Sequence, residues 1–544
     1  MSREQYEALA RNPANHVPLS PLSFLRRTVD LFPSRTALIH GARRQSWAET
    51  GARARRLAAA LGQRGIGTGD TVSILAANTP EMFEAHFGIP MAGAVLNTIN
   101  VRLDPGTIAY ILEHSDARML ITDTRFAPTV REALRQLGRK LPVVDIIDDS
   151  EPPGERLGDV DYEGLLAEGD PLSPWRLPED EWQALALNYT SGTSGRPKGV
   201  VYHHRGGYLM SMGTVAAWNL PLHPTYLYTV PMFHCNGWGH AWTMTLMAGT
   251  VVCCRTVTAR AIFEAIAEHR VTHFGGAPIV LGMLVNASES DRRRFDHPVR
   301  VLTAGAPPPA AILERMKALG FDVMQVYGLT ETFGHVTQCL WREEWDALPF
   351  ERQAEIQSWQ GVTFPMNEEV RIVDLETRQP VPRDGITQGE IELRGNTMMK
   401  GYYKDPEATA QAFTDGWLRT GDAAVWHEHG YMQIRDRLKD VIISGGENVS
   451  SVEVEDALYK HPAVAAAAVV AQPDDKWGEV PCAFVELRDG QHASAAELIT
   501  FCREHLAGFK APKTIVFGEL PKTATGKIQK YVLRARAAGT GASG

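Results

Sequence analysis

The segment Tyr189-Thr-Ser-Gly-Thr-Ser-Gly-Arg-Pro-Lys-Gly199 brings four hydroxyl residues, three glycines and two cations together within eleven positions. Glycines allow tight turns in which backbone N–H groups converge on an anion, and hydroxyl and cationic side chains add further donors. Serine- and glycine-rich stretches are usually linkers. Here, however, apolar runs at 184–189 and 199–202 flank the segment and predict a strand on each side. The segment therefore predicts a polyphosphate-binding loop, although it lacks the Walker A spacing.

Apolar runs alternate with amphipathic segments on both sides of this loop, which predicts a largely parallel α/β sheet. The predicted strands lie at 36–40, 71–76, 94–97, 119–122, 226–231, 249–255, 272–276, 301–304 and 323–326, and the predicted helices at 20–33, 47–65, 79–93 and 259–270. Ligands of open α/β sheets bind beyond the carboxyl ends of the strands. Several of these ends carry polar residues, so one composite site is expected.

The pattern changes near residue 368 to short strands and turns at 370–373, 389–394 and 431–434, which predicts a β-barrel-like part. A dense charge run at 435–440 follows. Beyond it we predict a small α+β domain, with helices at 452–459 and 494–507 and strands at 464–471, 481–487 and 514–517. The predicted fold is thus α/β, with a large domain over 1–438 and a small mobile domain over 439–544.

Composition excludes several classes of protein. The 544 residues carry a formal net charge of −9 without a basic cluster, so nucleic-acid binding has little support. No N-terminal apolar segment and no run long enough to span a bilayer is present, which predicts a cytoplasmic protein without a membrane span. The six cysteines are scattered without a Cys-x-x-Cys pair and predict free buried thiols. The oligomeric state, monomer or homodimer, stays open.

Six further motifs follow the loop in order. They are Ala304-Gly-Ala-Pro307, Gln325-Val-Tyr-Gly-Leu-Thr-Glu-Thr332, Gly416-Trp-Leu-Arg-Thr-Gly-Asp422, Asp436-Arg-Leu-Lys-Asp440, Ser444-Gly-Gly-Glu-Asn448 and Pro521-Lys-Thr-Ala-Thr-Gly-Lys527. From about residue 20 to 535 the chain resembles the adenylate-forming superfamily of acyl-CoA synthetases, luciferases and non-ribosomal peptide adenylation domains. The resemblance implies two half-reactions. A carboxylate first attacks ATP to give acyl-AMP and pyrophosphate, and a thiol then attacks the acyl-adenylate.

The resemblance implies that the loop holds the β- and γ-phosphates of ATP through Lys198 and its glycine and hydroxyl residues. These are Ser191, Gly192, Thr193, Ser194 and Gly195. Thr190 and Glu331 are the expected Mg²⁺-associated pair, because a hard cation prefers oxygen ligands and keeps several waters. The first half-reaction brings anions together, so positive charge is needed at the α-phosphate. Lys527 is expected to supply it as a catalytic residue.

The adenosine part of ATP is implied to lie against the later motifs. Asp422 is expected to hold the ribose hydroxyls with help from Arg437, and Tyr327 to stack on adenine. The other residues assigned to the nucleotide are Gly305, Ala306, Pro307, Gln325, Val326, Gly328, Leu329 and Thr330. Asp436 stands where many members of the superfamily have glycine.

The small domain is implied to rotate about Lys439 between the two half-reactions, because one site cannot present both Lys527 and the thiol to the same acyl group. After this rotation a glycine-containing segment is expected to line the channel for the pantetheine of CoA. Its residues are Ser444, Gly445, Gly446 and Glu447. Lys510 and Lys513 are expected contacts for the CoA phosphates.

The acid is expected to bind around 231–238, in a pocket formed by His234, Gly237, Trp238, Gly305 and Gly328. His234, at the family's aromatic gate, is also implied to act in catalysis beside Lys527 and Glu331. Amino-acid-activating relatives place an aspartate in this run, and none is present, so amino acids are disfavoured. Acetate-specific relatives have tryptophan at position 328. Because this chain has glycine, and because the run resembles medium-chain and methylmercaptopropionate ligases, we expect a short or medium acid such as 3-methylmercaptopropionate.

Two other functions compete with an ATP-, Mg²⁺- and CoA-dependent ligase. An acyl-AMP ligase would load a carrier protein instead of free CoA, and release of pyrophosphate without acyl-CoA would identify it. A non-catalytic ATP sensor is disfavoured, because Lys198, Glu331, Asp422 and Lys527 are all present.

Overall fold

The structure is a computed structural model and describes residues 6–190, 196–305, 310–445, 447–474, 476–522 and 528–540. Within these ranges the strands form four sheets. The loop residues 191–195, together with Ala306, Pro307, Gly446 and Lys527, lie outside the described residues.

The strands, numbered in chain order, are β1 Thr36–His40, β2 Arg43–Ser46, β3 Thr71–Leu75, β4 Val95–Thr98, β5 Ala117–Asp123, β6 Val143–Ile146, β7 Val160–Asp161, β8 Ala184–Thr190, β9 Lys198–His203, β10 Thr225–Tyr228, β11 Thr250–Cys253, β12 His273–Gly276, β13 Val299–Thr303, β14 Phe321–Leu329, β15 Gly334–Gln338, β16 Val362–Thr363, β17 Asn367–Val373, β18 Gln388–Gly395, β19 Gly401–Tyr402, β20 Phe413–Thr414, β21 Trp417–Trp426, β22 Met432–Arg437, β23 Ile442–Ser444, β24 Glu447–Val449, β25 Val464–Asp474, β26 Gly478–Leu487 and β27 Thr514–Phe517.

The helices are α1 Leu22–Leu31, α2 Trp47–Gln63, α3 Pro80–Met91, α4 Pro105–His114, α5 Ala127–Leu137, α6 Tyr162–Glu168, α7 His204–Ala217, α8 His240–Leu246, α9 Ala259–His269, α10 Pro278–Val285, α11 Ala310–Ala318, α12 Phe350–Gln357, α13 Pro406–Ala412, α14 Ser451–Tyr459, α15 Ala495–His505 and α16 Lys530–Thr540. Short 3₁₀ turns lie at Thr124–Phe126, Thr330–Thr332, Glu343–Ala347 and Glu428–Gly430.

Two large, mostly parallel sheets form the body of the molecule. One has the strand order β16-β15-β14-β13-β12-β10-β11-β1-β2, with a parallel centre from β14 to β1. The other has the order β19-β9-β8-β4-β3-β5-β6-β7, with β9 and β19 antiparallel at one edge. The α/β class expected from the alternating pattern is confirmed. In both sheets the carboxyl ends of parallel strands, where β8 and β14 end, carry the polar motifs.

The helices cover these sheets because their apolar residues recur at helical spacing. The helix α2 begins with a capping box in which Ser46 and Glu49 each accept the other's backbone N–H. Its buried face includes Leu57, whose side chain lies so close to α3 that a Cβ on Gly88 would approach it to 2.6 Å. A side chain at residue 88 would therefore separate the two helices.

Two smaller, mostly antiparallel sheets follow, and the first of them contains the short strands predicted beyond residue 368. The first joins β17, β18, β21 and β20, and β22 pairs with β21. The second joins β24, β23, β26 and β25, and β27 pairs parallel to β26. The helices α14 and α15 pack on the last sheet around Leu458 and Leu498. This is the small α+β unit expected from the sequence.

All six cysteines are free and buried, as their scattered positions predicted. Among the described residues no helix is both long and apolar enough to cross a membrane.

Candidate active site

The hairpin of β8 and β9 places Thr190 directly opposite Lys198. The two residues pair in the antiparallel register at the end of the hairpin, and both are half-buried. The strand β9 also pairs with β19, in which Tyr402 lies opposite Val200. A hydroxyl, an ammonium group and a phenol are thus brought to one sheet edge, next to the predicted phosphate loop.

Tyr402 lies between Lys198 and Glu331. Its hydroxyl donates to Oε1 of Glu331 at 2.7 Å, and Nζ of Lys198 lies 4.9 Å from the centre of its ring. Burial raises the pKa of Tyr402, and the adjacent Glu331 carboxylate raises it further. The phenol therefore stays protonated and acts as a hydrogen-bond donor. Tyr402 was not predicted from the sequence, because no pattern around Gly401-Tyr402-Tyr403 distinguishes the first tyrosine from the second.

The turn that carries Glu331 is held by backbone contacts. The Tyr202 hydroxyl donates to the Thr330 carbonyl at 2.6 Å, and the Met399 N–H donates to the Glu331 carbonyl at 2.8 Å. The Thr332 hydroxyl accepts from the Leu329 N–H at 2.9 Å. These bonds fix the backbone of the turn and leave the Glu331 side chain to be directed by Tyr402.

Asp422 joins two of the predicted nucleotide residues. The Tyr327 hydroxyl donates to its Oδ2 at 2.6 Å, and Nε of Arg437 lies 2.6 Å from its Oδ1. The register of β21 and β22 sets Asp422 opposite Arg437. Burial is the main cause that raises the pKa of Tyr327 well above its ordinary value, and the Asp422 carboxylate adds to this effect. The carboxylate is thus buried and oriented from two sides.

The strand ends beside Tyr327 contain polar atoms that lack partners. Gln325 is buried and pairs with Thr303, and within the described part of the chain neither Gln325 Oε1 nor Thr303 Oγ1 has a hydrogen-bond partner. Val326 is fully buried. Gly305 has φ +102°, and a Cβ there would meet none of the described residues within 4 Å. Unpaired buried acceptors and donors at these strand ends suit a polar ligand.

The segment from Cys235 to Gly239 is a left-handed turn. All five of its residues have positive φ, between +41° and +71°. L-residues other than glycine pay roughly 1–2 kcal/mol each in this conformation, so the turn needs support from its surroundings. Strain of this kind is typical of binding and catalytic segments.

An amide network supplies that support. Asn236 donates from Nδ2 to Thr98 Oγ1 at 3.2 Å, and its backbone N–H donates to Asn188 Oδ1 at 3.0 Å. Asn188 in turn donates to Asn236 Oδ1 at 2.6 Å, and the Tyr228 hydroxyl donates to the Gly237 carbonyl at 3.0 Å. The side chains come from β4, β8 and β10, so the sheets themselves hold the turn. The acid was predicted from the sequence to bind around 231–238. The network was not predicted, because its residues are far apart in the chain.

Replacing Asn236 with alanine is expected to lower the free energy of unfolding by about 3 kcal/mol, because it removes a residue that tolerates positive φ and two buried hydrogen bonds. Urea unfolding measures the loss. Asn219→Ala is the matched control, since Asn219 also has positive φ, +48°, but is exposed. Equal losses in the two variants would show that the network contributes nothing.

His234 and Cys235 face the turn that carries Glu331. Cys235 Sγ lies 3.3 Å from Thr330 Oγ1 and 4.0 Å from His234 Nε2. Burial alone would raise the pKa of the Cys235 thiol, but His234 and Thr330 outweigh it and lower this pKa. The three side chains line a small cavity with Tyr189. The predicted gate histidine is thus beside the predicted phosphate residues.

Trp238 connects the left-handed turn to the β14–β15 hairpin. Its ring is buried 5.1 Å from the ring of His335, which pairs with Gly328 across the hairpin. Burial lowers the pKa of His335 to about 3, so the imidazole is neutral. Trp238 also lies against Gly275, where a Cβ would approach its ring to 3.1 Å. The indole therefore closes off the space beyond the turn.

Two of the three glycines predicted for the acyl pocket, Gly237 and Gly328, lie against neighbouring backbone or side-chain atoms. A Cβ on Gly237 would lie 2.2 Å from the Tyr228 hydroxyl, and a Cβ on Gly328 would lie 1.7 Å from the Gly334 carbonyl oxygen. Both glycines permit close packing of the backbone at these two positions. The inference that Gly328 by itself deepens the pocket stays a prediction.

Of the residues predicted for the thiol step, Ser444 and Glu447 lie on strands of the last sheet, and Lys439 lies just before its first strand in the chain. Lys439 is exposed, and its carbonyl accepts from Arg534, which also pairs with Asp440. Ser444 is buried and Glu447 is exposed. Gly445 packs against the half-exposed Trp477, to whose carbonyl its N–H donates at 2.8 Å. Trp477 was not among the residues predicted to take part in the thiol step.

The two expected phosphate contacts differ in their surroundings. Lys510 is engaged by Glu453, whose two oxygens both lie 2.8 Å from its Nζ. Lys513 lies at the start of β27 and donates its backbone N–H to the Pro481 carbonyl. Binding of a phosphate by Lys510 would have to compete with its carboxylate partner.

Two family models match the chain. Residues 25–403 match the model described as AMP-binding enzyme, and residues 453–527 match the model described as AMP-binding enzyme C-terminal domain. The first match covers well over half of the chain.

Relatives and solved structures agree over almost the full length. A peroxisomal acetate/butyrate–CoA ligase of Arabidopsis thaliana is 48% identical over 97% of this chain and 96% of its own length. An acetate–CoA ligase of Humulus lupulus is 48% identical over 98% and 97%. The o-succinylbenzoate CoA synthetase of Bacillus subtilis, solved with ATP and a magnesium ion, has a TM-score of 0.78 at 28% identity, covering 94% of this chain and 98% of that one.

The predicted cytoplasmic location is wrong by comparison with these relatives. The Arabidopsis thaliana relative is named as peroxisomal, and so are proteins of Arabidopsis thaliana and Petunia hybrida at 46% and 44% identity. The prediction rested on the lack of an N-terminal apolar segment, and organelle addresses are also carried by other kinds of signal.

Proposed function

We propose residue roles and an acid class for this chain, which belongs to the AMP-binding enzyme family. Together with its relatives, this membership makes it an ATP- and CoA-dependent acid–thiol ligase that works through an acyl-AMP intermediate. The observation that carries the proposed roles is the convergence of Lys198, Glu331 and Asp422 on the strand end and turn at 327–332. Lys198 and Glu331 meet at Tyr402, and Asp422 meets Tyr327. The Lys198 ammonium group, the Glu331 carboxylate and the Asp422 carboxylate, which is proposed to accept hydrogen bonds from the ribose, thus lie around one polar space.

In the first half-reaction, Lys198 and the loop 190–199 hold the β- and γ-phosphates, and Asp422 with Arg437 holds the ribose. Tyr327 is engaged by Asp422 through its hydroxyl, so its ring is held in place beside the adenine position. Lys527 brings positive charge to the α-phosphate and the attacking carboxylate. His234 lies next to the acid and excludes water from the acyl-adenylate.

Magnesium ion fits the oxygen donors at this site. Thr190 offers a hydroxyl, and Glu331 offers the oxygen that is not bonded to Tyr402. Hard cations with few protein ligands and several waters are bound in this way. When bound, the ion neutralises charge on the phosphates. Among the described residues there is no group of three or more His, Cys, Asp or Glu side chains that could hold a metal ion.

For the second half-reaction we propose that residues 439–544 move as a domain about Lys439. This boundary falls between β22, which belongs to the first of the two smaller sheets, and β23, which belongs to the second. The movement takes Lys527 away and brings Ser444, Gly445, Gly446 and Glu447 to the acyl group. Free CoA, rather than a carrier protein, is the proposed thiol.

The proposed acid is a short- or medium-chain carboxylate, with 3-methylmercaptopropionate among the candidates. Trp238, which closes the space beyond the left-handed turn, supports a bounded acyl pocket. Relatives named for acetate and butyrate put both acids among the candidates. Because one methylene changes discrimination by only about 1–3 kcal/mol, neighbouring chain lengths should be accepted as well.

Trp238→Ala is expected to raise kcat/KM for octanoate relative to butyrate by about tenfold, because removal of the indole lengthens the pocket toward His335. A kinetic series of straight-chain acids measures the shift. An unchanged ratio, in a protein that still forms butyryl-CoA, would place the end of the pocket elsewhere.

The direct test of function is a screen of acids from acetate to decanoate, including methylthio and aryl acids, with pyrophosphate and acyl-CoA both measured. Release of pyrophosphate together with an acyl-CoA product supports the proposal. Pyrophosphate release with no acyl-CoA would favour a carrier-loading acyl-AMP ligase instead.

A further inference from the structure

Tyr402 occupies a position that the strands around it fix firmly. Its strand β19 is added to the edge of the sheet next to β9, which begins at Lys198. Its backbone N–H donates at 2.9 Å to Oγ1 of Thr409, which lies in the middle of α13. Gly401 allows that approach, since a Cβ there would lie 2.7 Å from the Thr409 methyl group. The ring of Tyr402 is therefore placed by the backbone before any ligand binds.

Tyr402 gives both neighbouring charges a partner. Its hydroxyl bonds one oxygen of Glu331 at 2.7 Å, and its ring face lies 4.9 Å from the Lys198 ammonium group. Within the described residues no ion pair joins Lys198 to Glu331, although both contact the same side chain. A direct pair between them would satisfy each charge with the other, and a ligand would then have to break it.

We propose that Tyr402 is a positioning residue that keeps Lys198 and Glu331 apart and oriented, so that the ammonium group is available to the ATP phosphates and the carboxylate to Mg²⁺. The proposal rests on the function proposed above. A phenol suits this task because it donates one hydrogen bond and presents a face that attracts a cation. Partners that orient a metal-binding carboxylate commonly change metal affinity by 10–100-fold when they are removed.

The test compares Tyr402→Phe with Tyr403→Phe. Tyr402→Phe keeps the ring and removes only the bond to Glu331. We expect the Mg²⁺ concentration for half-maximal ATP binding, measured by titration calorimetry, to rise about tenfold, with Mg²⁺-free ATP binding unchanged. Tyr403→Phe is a matched control, since its hydroxyl bonds Asp116 at the surface at 2.9 Å. It should behave as the unaltered protein.

A second variant separates the two contacts. Tyr402→Leu also removes the ring beneath Lys198, so ATP affinity without Mg²⁺ should fall as well, about three- to tenfold. Thermal unfolding of each variant shows whether the fold is kept. If Tyr402→Phe has the same Mg²⁺ dependence as the unaltered protein, the proposal is wrong. If the unaltered protein itself binds no ATP, the proposed function fails instead, and the two failures are thus distinguishable.

Discussion

Lys527→Ala is expected to slow acyl-AMP formation by about 10³-fold while ATP still binds. The first half-reaction joins a carboxylate to a phosphate, and a cation at the developing charge supplies much of the stabilisation of such transition states. Pyrophosphate exchange measures this step without CoA. ATP binding, measured by calorimetry, should change less than threefold, because Lys198 and Asp422 are the residues proposed to hold the nucleotide.

The same variant should retain the second half-reaction. Given synthetic acyl-AMP and CoA, it should form acyl-CoA at close to the ordinary rate, because the proposed domain movement takes Lys527 away from the acyl group in that step. Lys522→Ala is the matched control, since Lys522 pairs with Glu486 at 2.9 Å on the surface of the last sheet. Normal pyrophosphate exchange in Lys527→Ala would remove the role assigned to it.

Asp422→Asn should raise the KM for ATP about 100-fold and leave the KM for the acid within twofold. A carboxylate that accepts hydrogen bonds from a ribose contributes about 1.5–3 kcal/mol for each bond, and an amide replaces an accepting oxygen with a donor. The change also takes from Arg437 its partner at 2.6 Å. Initial-rate kinetics with each substrate varied in turn separate the two KM values.

A loss of stability alone could mimic part of this effect, and Glu392→Gln controls for it. Glu392 is buried on β18 of the same sheet and pairs with Arg371 at 2.6 Å. That variant should unfold at a lower temperature but keep its KM for ATP. If both variants change KM equally, Asp422 acts only through the stability of the sheet.

Much of the fold could be predicted from the sequence because its signals are local. The predicted strand 36–40 and helix 47–65 correspond to Thr36–His40 and Trp47–Gln63, since alternation, helical spacing and the Ser46 cap all act within a few residues. The hairpin formed by β14 and β15 was not predicted. Its return strand, Gly334–Gln338, is buried on both faces and has neither alternation nor length to mark it.

The candidate site was predictable where a motif carries both the chemistry and the position. Lys198, Glu331 and Asp422 stand in recognisable runs, and the structure brings each of the three to the space around 327–332. Tyr402 and Asn188 were missed because their importance lies in what they contact. Those partners are 71 and 48 residues away along the chain, and only the sheets bring them together.

The left-handed turn from Cys235 to Gly239 also bears on how the protein reaches its native state. Left-handed backbone of this kind is unfavourable on its own, and the groups that stabilise it are the Asn188 amide and the Thr98 hydroxyl, which are 48 and 138 residues distant. Contacts of such high sequence separation form slowly, because long loops must close first. Because Tyr228, which also holds the turn, belongs to the other large sheet, the proposed acyl pocket acquires its final shape only after both large sheets have assembled. A newly made chain can be compact, with most of its secondary structure, and still be unable to select an acid.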